Sequence, residues 1–151
     1  MKRILISFII IGFSLTSYAQ YNTGDAQLNA SLSKIDANAQ LDFGAFKADL
    51  SASYNVSTNT IDNWSIDLGM KAGDIYLALE LAKITKKPAD EVVKVYQKDK
   101  GKGWGVIAKE LGIKPGSPEF HALKNNATGK SEKAHGGGKG KGKGNPHSKK
   151  K

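Results

Sequence analysis

The chain has 151 residues, no cysteine, and 23 Lys+Arg against 14 Asp+Glu, which bounds it to one small domain with a large positive excess. The missing thiols exclude disulfides, zinc–thiolate and iron–sulfur centres, a cysteine nucleophile and the cysteine-borne anchor of a lipoprotein. Packing of the 39% hydrophobic residues therefore has to hold the fold unaided.

Residues 1–19 read as a targeting segment. Lys2 and Arg3 give a positive start, Ile4 to Leu15 an apolar run, and Ser17 and Ala19 small residues at −3 and −1 of a cleavage point before Gln20. That is the design of a bacterial secretory signal peptide. The run is shorter than the roughly 20 residues a spanning helix needs. A mature chain starting at Gln20 is expected in the periplasm or outside the cell, with no transmembrane segment. ATP, NAD and the chromosome are then not its natural partners.

Between residues 25 and 54 the apolar residues Leu28, Leu32, Ile35, Ala39, Phe43, Phe46, Leu50 and Tyr54 recur at intervals of three and four, one stripe on a helix capped by Asp25. A strongly buried helix follows from about Asp74, a candidate N-cap, through Ile75–Ile84 to Lys86 and Lys87. Pro88, Asp90 and Glu91 open the next helix, whose apolar side is Val92, Val93, Val95 and Tyr96. Trp104, Ile107, Ala108 and Leu111 line a short helix ended by Gly112, and Ser117-Pro118-Glu119 starts a last one through Leu123.

Two stretches echo each other 43 residues apart: Leu68-Gly69-Met70 to Leu79, and Leu111-Gly112-Ile113 to Leu123. Each reads as a helix end, a glycine C-cap, an apolar plug, a second glycine and a new N-cap, the chemistry of a sharp helix–helix corner. The expected fold is all-α: a compact bundle of four to five helices with two helix-turn-helix corners over residues 20–129, followed by a disordered cationic tail at 130–151. Sequence-specific DNA binding is not expected, because the helices after the corners begin Asp74-Ile75-Tyr76 and Ser117-Pro118-Glu119-Phe120, acid or apolar where base readout needs basic and amide groups.

Charge divides the chain differently. Residues 20–70 carry Lys34 and Lys47 against six aspartates, a net of −4; residues 71–129 carry a net of +4; residues 130–151 carry eight lysines against Glu132, a net of +7. The excess therefore resides at the C-terminus. Its sequence, KSEKAHGGGKGKGKGNPHSKKK, has no large apolar side chain to offset the entropy of ordering. Lys139, Lys141, Lys143, Lys149, Lys150 and Lys151 are the candidate polyanion-binding residues, acting by counterion release on lipopolysaccharide phosphates, acidic polysaccharide or extracellular DNA. A solubilising tail without a dedicated partner is the competing reading.

The stretch Gly101-Lys102-Gly103-Trp104-Gly105 is the second candidate site, with Lys102 and Trp104 as ligand-binding residues: glycine amides and Lys102 would meet an anion, and the indole face a sugar ring. The plainer expectation for Trp104 is a core anchor that small neighbours allow to fold inward. Trp64 carries the same ambiguity. His121 stands alone, His135 and His147 have no carboxylate neighbours, and no Gly-x-Ser-x-Gly elbow or paired carboxylates occur, so neither enzyme activity nor a metal or other cofactor is expected.

The segment Gly103-Trp104-Gly105-Val106-Ile107-Ala108-Lys109-Glu110-Leu111-Gly112-Ile113-Lys114-Pro115-Gly116-Ser117, together with Leu68–Leu79, resembles an uncharacterised family of small exported bacterial proteins that share a signal peptide, this core and often a Lys/Gly-rich end. The resemblance implies a helical, exported protein and carries over no functional residue. Function is thus expected to be that of an exported non-enzymatic binding or structural protein whose tail associates with anionic envelope or matrix polymers. The alternative is a small-ligand or glycan binder at the Gly101–Gly105 corner.

Overall fold

The computed structural model describes residues 21–133, and among these the chain is helical without strands. The helices are α1 (Ala26–Leu41), α2 (Phe43–Tyr54), α3 (Thr58–Ile66), α4 (Ala72–Thr85), α5 (Ala89–Asp99), α6 (Trp104–Glu110) and α7 (Pro118–Lys133), with a 3₁₀ turn at Lys100–Lys102. The all-α bundle is as the periodicity dictates, while the number of described helices is seven rather than four or five. Among them no helix is long and apolar enough to cross a membrane.

α4 is the spine. Every residue from Gly73 to Ala82 is buried, so the helix is enclosed on all sides, and its two buried carboxylates, Asp74 and Glu80, are each met by hydrogen-bond donors. α1 packs across it and along α7, α5 lies on another side, and α2 and α3 close the remainder. The α1–α7 seam is largely polar at its edges: Lys124 pairs with the α1 cap Asp25 at 3.3 Å, and Asn38 Nδ2 donates to the Ser131 carbonyl at 3.0 Å.

The single stripe from Leu28 to Tyr54 is buried as expected at Leu28, Leu32, Ile35, Ala39, Phe46 and Leu50, but two helices carry it. Asp42 leaves helical geometry (φ −152°, ψ 88°), and its carboxylate accepts the Ala45 N–H at 2.8 Å, ending α1 and capping α2. The periodicity survives because the break costs one residue and both halves bury the same face.

Both echo corners form, from α3 to α4 and from α6 to α7. Gly69 and Gly112 adopt left-handed backbone (φ +63° and +94°), and the plugs Met70 and Ile113 are 2% and 3% exposed. The copies part at their second half. Ser117 caps α7, accepting the Phe120 N–H at 3.2 Å, whereas α4 begins earlier, at Ala72. Asp74 is therefore not the N-cap but one turn inside, where it accepts the Lys71 N–H at 3.1 Å.

α7 also outruns its expected end. Lys130–Lys133, assigned by composition to the tail, form its last turn. Ser131 is buried there, its hydroxyl donating to the Thr128 carbonyl at 2.8 Å. Docking on α1 holds this turn by polar contacts, which a count of apolar residues does not register.

Candidate functional site

The Gly101–Gly105 corner is built around the first described residues. Tyr21–Thr23 form a strap laid over the start of α6: the Gly105 N–H donates to the Asn22 carbonyl at 3.0 Å, and Thr23 is held to α1 through Asn29 Oδ1, 2.8 Å from its hydroxyl. A Cβ on Gly103 would stand 2.8 Å from the Asn22 carbonyl oxygen, and one on Gly105 2.9 Å from that of Thr23. These glycines make room for the strap, a role that sequence reasoning missed.

Trp104 is 4% exposed, stacked on Tyr96 with ring centroids 4.9 Å apart. Its Nε1–H donates to Asp74 Oδ1 at 2.7 Å, and the Tyr96 hydroxyl donates to Asp74 Oδ2 at 3.2 Å. Burial, then the adjacent Asp74 charge, pushes the Tyr96 phenol well above its ordinary range, so it stays a donor. One carboxylate thus joins α4, α5 and α6. A cleft of about 280 Å³ does open here, walled by Asn22, Lys71, Lys100 and Gly101 beside the aromatic pair. The indole face is nevertheless occupied by Tyr96, and Lys102 pairs with Asp99 at 2.6 Å rather than lining the cleft. The two residues put forward as ligand contacts are therefore engaged within the fold: Trp104 is a core anchor and Lys102 an ion-pair partner. Trp64 is likewise buried, at 6% exposure. His121 is exposed, and no side chain among the described residues hydrogen-bonds its ring. The six tail lysines, Lys139, Lys141, Lys143, Lys149, Lys150 and Lys151, lie outside the described residues, as do His135 and His147.

A different set of residues converges along α2. Its three aromatic rings each lie under a lysine ammonium: Phe43 under Lys47 at 5.9 Å, Phe46 under Lys130 at 5.5 Å, and Tyr54 under Lys83 at 5.6 Å. Lys47 is neutralised by Asp62 at 2.6 Å, and Lys130 by Asp49. Lys83 and Lys133 have no carboxylate partner among the described residues.

Two hollows flank the Lys130–Asp49 pair. One, about 310 Å³, has Tyr54, Glu80, Lys83 and Asn126 among its walls. Glu80 is 3% exposed, accepting from the Tyr54 hydroxyl and, at 2.9 Å, from Asn126 Nδ2. Burial first, and then the bond to Glu80, holds the Tyr54 phenol protonated far above its ordinary range. The other hollow, about 380 Å³, lies at the α1–α2 break against the end of α7. Lys130 and Lys133 line both. The signal for this site was present in the sequence as Lys130 and Lys133 themselves, but the tail assignment removed them from the fold.

No protein-family model, curated protein or solved structure matches the chain, so the functional reading rests on its own geometry.

Proposed function

We propose that this chain is an exported, non-enzymatic binding protein that attaches to anionic polymers of the cell envelope or matrix through its C-terminal lysines. The signal-peptide pattern of residues 1–19 supports export, to the periplasm or beyond. The observation that carries the attachment is where the described fold ends. Lys130 and Lys133, in the last turn of α7, border the same hollow as Lys83; Lys130 is paired with Asp49, whereas Lys83 and Lys133 have no carboxylate partner among the described residues, and the sequence beyond Lys133 adds six further lysines. Residues 20–129 are balanced between a net of −4 and a net of +4, which confines the attraction to this end. Lipopolysaccharide phosphates, acidic polysaccharide and extracellular DNA share the chemistry that such lysines recognise.

The test is salt elution of the mature full-length chain from immobilised heparin, alongside a variant with Lys139, Lys141, Lys143, Lys149, Lys150 and Lys151 changed to glutamine. Polyanion affinity falls as a power of salt concentration with an exponent of roughly 0.7–0.9 per neutralised charge, so removing six contacts moves elution to markedly lower salt. Unchanged elution of the variant overturns the reading.

A further inference from the structure

The charge balance of residues 20–129 is a sum, and it fails locally on one face. The hollow beside Tyr54 and Glu80 has a neighbour of about 420 Å³ at the ends of α2 and α4, and the two share Ser53, Tyr54 and Lys83 as walls. Together they form one groove running past Tyr54. Lys83, Lys86, Lys87, Lys130 and Lys133 line it, against the carboxylates of Asp49 and Glu80 alone. Asp49 is taken up by Lys130, Glu80 is buried and held by Tyr54 and Asn126, and Lys87 is paired with Glu91 from outside the groove. With Glu91 counted, the face still has five lysines against three carboxylates. Lys83, Lys86 and Lys133 have no carboxylate partner among the described residues, and all 14 Asp and Glu of the sequence lie within residues 21–133. No acidic side chain elsewhere in the sequence is left to neutralise them.

We propose that this groove holds a single chain of an acidic polysaccharide, with its anionic groups on Lys83, Lys86 and Lys133 and its hydroxyls on the neutral polar groups between them. The inference rests on the polyanion reading for the class of partner, and places the selective contact in the folded region. Three observations select the occupant. The unpaired charges are spread along the groove, since Lys86 and Lys133 line different hollows and Lys83 lines both, which suits an anion repeated along a chain. Ser53, Asn55 and Asn125 also line it, and among the described residues none of these side chains is hydrogen-bonded within the fold, so their donors and acceptors are open to sugar hydroxyls. Nucleic acid is a poorer match. A single strand binds by stacking bases on aromatic faces, whereas the groove's two rings, Tyr54 and Tyr76, are set edge to face on each other and Lys83 lies over Tyr54.

The experiment measures binding of fluorescein-labelled hexagalacturonate to the mature full-length chain by anisotropy at low salt, in parallel with heparin elution. Two variants probe the groove, both at exposed positions. Lys83→Gln/Lys86→Gln/Lys133→Gln removes its unpaired charges, and Ser53→Tyr, on the wall common to both hollows, obstructs it without changing charge. Each is expected to weaken hexagalacturonate binding about tenfold, with the urea midpoint little changed. In the variant lacking the six tail lysines, binding is expected to persist and to remain sensitive to Ser53→Tyr. Binding that is absent, or that ignores either groove variant, overturns the groove assignment even where the six tail substitutions still lower heparin elution. Heparin elution that ignores those six substitutions, with hexagalacturonate binding still lost in the groove variants, overturns the tail's role and leaves the groove standing. An oligothymidylate of equal length that binds more tightly than hexagalacturonate, and is weakened by Ser53→Tyr, assigns the groove to nucleic acid and overturns the proposal.

Discussion

Gly105 lies inside α6, where exchanging glycine for alanine ordinarily gains up to about 1 kcal/mol of helix stability. Here the added Cβ would stand 2.9 Å from the Thr23 carbonyl oxygen and 3.2 Å from its carbonyl carbon, backbone atoms that cannot rotate aside as a side-chain tip does. The strap has to lift, and the Gly105 N–H bond to Asn22 weakens with it. Gly105→Ala is therefore expected to destabilise the chain by about 1–3 kcal/mol, read as a lower urea midpoint. Gly101→Ala, four residues earlier with nothing within 4 Å of its Cβ and no left-handed backbone, is the control. It is expected to be neutral or to gain up to about 1 kcal/mol through the unfolded state. A Gly105→Ala midpoint at or above that of Gly101→Ala would contradict the strap's role. The sequence shows glycines around Trp104 but not what crosses them. Their partners, Asn22 and Thr23, are some eighty residues upstream, and no local pattern announces a backbone approach of that kind. The core placement of Trp104 was readable, because an indole between small residues at the start of an apolar stripe folds inward. Its acceptor Asp74 was not, since the sequence assigns that carboxylate to cap α4.

At the scale of elements, the division of the α1–α2 stripe shows what periodicity leaves open. Leu28 to Tyr54 keep a regular spacing, and a regular spacing is compatible with one helix or with two that bury the same side. The decision is local, at Asp42, whose carboxylate accepts the Ala45 N–H that the break would otherwise leave without a partner. Asp42→Ala removes that bond and is expected to cost about 1 kcal/mol, the ordinary loss for an N-cap, whereas Asp42→Asn retains an acceptor and is expected to stay within a few tenths. Thermal unfolding of the pair checks this. Equal losses from Ala and Asn would show that charge at Asp42, rather than capping, sets the break. α3 was illegible for a related reason. Thr58–Ile66 bury only Ile61 and Trp64, and its threonines and asparagines are weak helix formers, so neither stripe nor propensity marks it. It is held by its caps instead, with Ser57 Oγ accepting the Thr60 N–H at 3.0 Å, and by packing against α2 and α4. The Gly69 and Gly112 corners were legible because each needs a residue type that little else can replace.

For the molecule as a whole, the decisive boundary is the one between packed helix and lysine-rich end, and composition alone places it a turn too early. Lys130 has its ammonium over the Phe46 ring, and Ser131 is buried against α1, so both belong energetically to the bundle even though their neighbours in sequence read as tail. Trypsin reports the boundary directly, because it cuts after lysine where the backbone can be drawn into an extended conformation. Lys87 and Lys114 precede prolines and resist cleavage for that reason. Lys124 and Lys130 lie within α7 and require local unfolding before they are cut. Residues 134–151 have no large apolar side chain to dock. Limited digestion of the mature chain, followed by mass measurement, is expected to leave a core ending at Lys133, with the tail lysines removed first. A core ending at Lys124 would show that the last turns of α7 open independently, and would detach Lys130 and Lys133 from the lysine-bordered face. Survival of the uncut tail at the same protease level would instead place its lysines against the acidic residues of α1–α3. There they would be neutralised internally, leaving no cationic extension to hold a polyanion.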